Sequence, residues 1–260
     1  MSAFLPAALL PDALGPLAFA AIFAVVVVAA VIRAFTGFGF ALLAIPVLVL
    51  ILPPAQVIPF IFLLELVISV TLLPRLWHEV DFSGLRWLLP GALLATPIGG
   101  YVLLIASPEA LRLAIGLVVV TAALLMARGL RFRNRPGPAA SFGTGLVSGT
   151  LNGAAGIPGP PVVLFYLATP AADSVSRATL IAYFTVTDIM GIGVAAWNGL
   201  FTWDTMLWAL WLTPAMLIGS VLGQTAFSRV NPNLFRRIVL GVLLVTGLIG
   251  VAKALMDLLQ

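Results

Sequence analysis

Three charged residues stand where charge is costly. Arg33 closes one apolar run, Glu65 lies mid-way along another, and Asp188 mid-way along a third. An ionisable group inside a bilayer needs a partner or a watery cavity, so each is a site candidate by default. Arg33 can serve as counter-charge to an anion, or its stem can snorkel towards the surface. The two readings are evenly matched. Glu65 and Asp188 are suited to carrying a coupling proton, and equally to pairing with arginines or helix ends. Two stretches of small residues complete the set. One runs from Arg33 through Thr36, Gly37, Phe38, Gly39 and Phe40 to Pro46; the other has Gly149, Asn152, Gly153, Gly156, Pro158, Gly159, Pro160 and Pro161. Backbone that leaves helical geometry in a membrane must be buried in protein or line a cavity. Each break precedes a new apolar helix, whose first amides and positive dipole end would suit an anion. Thr36 and Asn152 would add neutral donors. The bland alternative is close helix packing, as in the series Gly145, Gly149, Gly153. Either stretch alone favours that alternative, whereas two at equivalent positions of a repeat favour a site. Arg177 opens a later segment, where it reads chiefly as an interfacial charge and secondarily as lining an inner vestibule.

Other chemistries are excluded by what is missing. The chain has no cysteine, hence no disulfide, thiolate nucleophile or iron–sulfur ligand. A single histidine, His78, builds neither a zinc site nor a convincing triad. There is no G-x-S-x-G or Walker A sequence, and Gly37 with Gly39 lacks the third glycine of a dinucleotide loop. No catalytic residue, metal site or cofactor is expected, and the chain does not read as an enzyme. Trp77, Trp87, Trp203, Trp208 and Trp211 fall near segment ends, the pattern of an aromatic belt.

The elements that must position these residues are membrane helices. Of the 260 residues 62% are hydrophobic and only 8% charged, with mean hydropathy +1.19. A soluble domain has about a quarter charged residues. Breakers and charges divide the chain into ten segments: 17–34, 38–52, 55–76, 84–106 and 110–128, then 140–153, 157–169, 176–198, 204–227 and 233–257. Segments 38–52, 140–153 and 157–169 are short for an untilted crossing, so they read as half-helices, bent helices or re-entrant hairpins. With no basic residue before Arg33, the amino end reads as a first membrane segment rather than a cleavable leader. The basic balance is no nucleic-acid signal, because the arginines sit in short loops.

The two halves resemble each other at an offset of about 124 residues. Trp87, Pro90, Gly99, Pro108 and Arg112 answer Trp211, Pro214, Gly223, Pro232 and Arg236, and Glu65 answers Asp188 one residue out of step. The expected organisation is a first membrane repeat over 1–128, a basic cytoplasmic link over 129–139 and a second repeat over 140–260. With that link in the cytoplasm, all thirteen basic residues except Arg33, Arg112 and Lys253 fall inside. Equivalent loops then face opposite sides, as an inverted repeat of five segments requires. The expected fold class is an all-α polytopic membrane protein of two inverted repeats with broken helices at the midplane.

At both breaks the chain resembles the TauE/SafE sulfite-exporter family, also called the toluene sulfonate uptake permease family. The resemblance rests on the run from Thr36 to Pro46, the run from Gly149 to Pro161, the sequence Ser176, Arg177, Ala178, Thr179, and the Asp81-Phe82 turn. Pro158 stands where glycine is expected, and Arg33 where an uncharged residue is common. The resemblance implies movement of sulfite, sulfonates or related organosulfur anions across the bacterial inner membrane. The expected function is therefore secondary transport of a small organic or inorganic anion by alternating access, with proton coupling as an option. The rival reading is an anion channel with the same symmetric pore. The expected substrate-binding residues are Arg33, Thr36, Gly37, Phe38, Gly39, Phe40, Asn152, Gly153, Gly156, Pro158, Gly159 and Arg177, with Glu65 and Asp188 as proton-coupling candidates. The partners are the anion, protons and the lipid bilayer; a homodimer is compatible with the sequence.

Overall fold

The computed structural model describes residues 15–128, 136–169, 172–227 and 232–258. They form ten α-helices: α1 (Pro16–Thr36), α2 (Phe40–Leu48), α3 (Pro54–Leu76), α4 (Phe82–Ile105), α5 (Pro108–Arg128), α6 (Pro138–Ala155), α7 (Gly159–Ala168), α8 (Asp173–Trp197), α9 (Trp203–Phe227) and α10 (Pro232–Leu258). No strand occurs among the described residues. Each matches an expected segment to within a few residues. Proline opens α1, α3, α5, α6 and α10, where its missing N–H would lack an intrahelical partner anyway. Asp81 caps α4 by accepting the Gly84 N–H at 3.1 Å.

Seven helices are long and apolar enough to cross a membrane: α1, α3, α4, α5, α8, α9 and α10. The short α2 and α7 rise about 14 and 15 Å at 1.5 Å per residue, half of a hydrocarbon core. Many large apolar side chains point outwards, among them Leu94, Ile98, Leu210 and Val221. Water would penalise such a surface and lipid does not, so the molecule is a multi-pass membrane protein.

The helices pack chiefly in the pairs α4 with α6, α1 with α9, α5 with α10, and α3 with α8. Backbone meets backbone in the first two. A Cβ at Gly145, Gly149 or Gly153 of α6 would strike the Leu88, Ala92 or Thr96 carbonyl of α4, and one at Gly219 or Gly223 of α9 would strike α1. The interior cluster holds α2 almost entirely, from Phe40 to Leu48. One expectation fails there. Trp208 is not part of an interfacial belt but is buried between Phe60 and Phe19, with ring centroids 5.8 and 6.2 Å away. It sits little more than a turn inside α9 from the exposed Trp203, on the face turned into the bundle.

Candidate functional site

Both breaks are built on glycine. α1 ends at Gly37, at φ 78°, whose N–H donates to the Arg33 carbonyl at 2.7 Å. Gly39, at φ 96°, starts α2. α6 ends at Gly156, at φ 66°, whose N–H donates to the Asn152 carbonyl at 2.8 Å. A side chain is disfavoured at such φ, so these residue types hold the chain in mid-bundle turns. Pro158, at φ −71°, precedes α7 without strain. The two breaks converge on one narrow cleft that is partly open to solvent. Phe38, Gly39 and Ala41 line it from the first break; Ile157, Pro158, Gly159 and Pro160 line it from the second. Leu42, Glu65, Val163, Phe184 and Met126 complete the wall, Met126 from the link-facing end of α5.

The charges are arranged differently from expectation. Arg33 is fully buried, and its Nη1 donates to Glu65 Oε1 at 2.7 Å while Nη2 donates to Ser69 Oγ at 2.6 Å. Its guanidinium carbon lies 6.0 Å from the centre of the Phe184 ring. It neither snorkels nor stands free; its charge is compensated by the protein. The same Glu65 Oε1 accepts the Ala41 N–H at 3.3 Å, so it also occupies an amide at the start of α2. Asp188 is buried close enough to feel both Glu65 and Arg33, yet neither of its oxygens has a hydrogen-bond partner.

Arg177 lies against the first break. Its stem covers Gly37, where an added Cβ would lie 2.7 Å from its Cγ, and Nη2 donates to the Ala34 carbonyl at 3.4 Å. Its Nε is buried without an acceptor. The ion pairs among the described residues are Arg33 with Glu65 and Arg112 with Glu109, and neither involves Arg177. A partly buried cation, without an ion pair among the described residues, thus lies against the first break.

The second break offers fewer donors than expected. Pro160 and Pro161 have no N–H, so Gly159 supplies the sole amide among the first three residues of α7. Asn152 is fully buried, and its Nδ2 donates to the Thr187 carbonyl at 2.9 Å, tying α6 to α8. Ser148 donates to the Pro158 carbonyl at 2.6 Å and accepts from the Tyr183 hydroxyl at 2.8 Å, fixing the turn.

Of the expected residues, the structure brings Phe38, Gly39, Glu65, Pro158 and Gly159 to the cleft wall. Gly37 and Gly156 make the turns beside it, and Phe40 is sealed in the core. Gly153 serves the α4–α6 contact, as the packing alternative has it. The Thr36 side chain lies outside the described residues. Ser69, Phe184 and Met126 were not foreseen, although helical spacing held a hint. Ser69 follows Glu65 by four residues and Phe184 precedes Asp188 by four, so each shares a face with a buried carboxylate.

Comparison with known proteins gives a concordant picture. Residues 22–249 match the family model described as sulfite exporter TauE/SafE. The chain is similar to a probable sulfite/organosulfonate exporter TauE of Cupriavidus necator, at 28% identity over 227 residues, covering 85% of this chain and 87% of that protein. No solved structure matches it.

Proposed function

The chain belongs to the sulfite exporter TauE/SafE family of membrane transporters, and from that premise we propose that it moves a sulfur-containing anion, sulfite or an organosulfonate, by alternating access. The observation that carries this reading is the convergence of two glycine-broken helices on one cleft inside the bundle. Arg177 meets the anion as formal charge, the start of α2 adds partial positive charge, and Phe38, Pro158 and Phe184 shape the cleft. Full negative charge in a low-dielectric site needs more than partial dipoles. Arg33 acts on the anion through Glu65 and the start of α2 rather than by contact. Transport is coupled to protons through the buried carboxylates Glu65 and Asp188.

The two halves are inverted repeats, 1–128 and 140–260, joined by a cytoplasmic link. Support comes from the helix pairs. Exchanging the halves turns α4 with α6 into α9 with α1, while α3 with α8 and α5 with α10 map onto themselves. Gly99 and Gly223, matched in the sequence, both press on the first helix of the opposite half. Rocking one half against the other would expose the cleft to each side in turn.

The test is flux into liposomes holding the purified chain, across sulfite, a sulfonate, thiosulfate and acetate, with and without a pH gradient. Saturable uptake of sulfite or the sulfonate, strengthened by the gradient and absent for acetate, is expected. Equal passage of all four overturns the substrate assignment, and conductance far above carrier turnover makes the chain a channel.

A further inference from the structure

We propose that Asp188, not Glu65, is the proton-binding residue, and that the Arg33–Glu65 pair passes its charge state to the start of α2. The inference rests on the transport reading above and assigns the proton within it. The two carboxylates look interchangeable in the sequence but differ in their surroundings. Glu65 is engaged: one oxygen holds Arg33 at 2.7 Å and the Ala41 amide at 3.3 Å. Asp188 is wholly buried on α8, and no group among the described residues donates to either oxygen. An ionised carboxylate there would have lost its water and found nothing in return.

The groups around Asp188 point the same way. The charged groups near enough to act on it are Glu65 of α3 and Arg33 of α1. Of the other elements packed on α8, α6 has no titratable residue and α7 has only Tyr166. The Arg86 and Tyr101 side chains of α4, and His78 and Glu79 in the Trp77–Glu79 turn, are exposed. One buried cation therefore serves two carboxylates, and a single proton makes the trio neutral. Glu65 is already committed to Arg33, which leaves Asp188 to take it.

The step is a protonation. An O–H bond forms on one Asp188 oxygen when the cleft faces one side and breaks when it faces the other, the proton coming from and returning to water. Without the proton, Asp188 competes with Glu65 for Arg33. Glu65 also grips the Ala41 amide, so that competition reaches the first residues of α2, at the cleft wall. Proton occupancy and anion-site geometry are thereby linked through Asp188, Arg33, Glu65 and the Ala41 amide.

Infrared spectra of the purified full chain over a pH series test the assignment without any anion. A protonated-carboxyl band is expected at neutral pH, shifting when isotope-labelled aspartate is incorporated and not when labelled glutamate is. It should vanish in Asp188→Asn, persist in Glu65→Gln, and return displaced in Asp188→Glu. Absence of the band in the folded parent, or a shift with labelled glutamate instead, would overturn the proposal; the labelled parent decides even if a variant misfolds. In liposomes, Asp188→Asn should reduce gradient-driven sulfite uptake to its no-gradient level while sulfite exchange continues. If the parent carries no sulfite, the transport reading fails, and the infrared result still decides Asp188.

Discussion

Arg33 shows how far a residue's role depends on what faces it. A buried arginine with a carboxylate at 2.7 Å spends its charge on the protein. Breaking such a pair leaves the partner charged and unpaired, at about 3–5 kcal/mol. Arg33→Gln should therefore lower the thermal midpoint in detergent sharply, and adding Glu65→Gln should restore part of the loss. Arg177→Gln, with no ion pair to break among the described residues, should leave the midpoint near the parent's. Equal midpoints for Arg33→Gln and the parent would contradict the pairing. The sequence marks Arg33, Glu65 and Asp188 as expensive residues, because charge within apolar runs is visible without a structure. It does not reveal which of them satisfy each other. Glu65 and Arg33 are 32 positions apart, and nothing local to either names its partner.

Elements were more legible than sites. Prolines and glycines punctuate the apolar runs, so all ten helices and both breaks can be read from residue type. Depth within the bundle cannot, as the buried Trp208 shows. The basic residues that the charge rule leaves outside also gain a reason at this scale. Arg112 Nε donates to the Val49 carbonyl at 2.7 Å and Lys253 Nζ to the Leu50 carbonyl at 2.9 Å, just past the end of α2. Cations there complement the negative end of the helix dipole, each worth about 0.3–1 kcal/mol. Lys253→Ala and Arg112→Ala should each speed amide hydrogen exchange across 49–52 without unfolding the bundle. Unchanged exchange in both variants would show that the clamp is idle. Gly149→Leu should be far worse, since α4 backbone occupies the space its side chain would need. Overpacking typically costs about 1–3 kcal/mol. Loss of monodispersity or a clearly lowered midpoint is expected.

For the whole molecule, the proposed inverted repeat predicts the link and both termini on opposite sides of the membrane. Cysteines introduced at Asn134 and at Gly199 of this cysteine-free chain should be labelled from opposite sides by an impermeant reagent. Labelling from one side would end the inverted-repeat account. The halves serve one purpose in that account: they bring two broken helices to a shared cleft, with Arg177 packed against the first break beside it. Calorimetric titration of sulfite into the purified parent and into Arg177→Gln tests that claim most directly. Saturable binding by the parent is predicted, with an affinity at least about tenfold weaker in the variant, a difference of about 1.4 kcal/mol. Equally tight binding by a folded Arg177→Gln, or none by the parent, would contradict it.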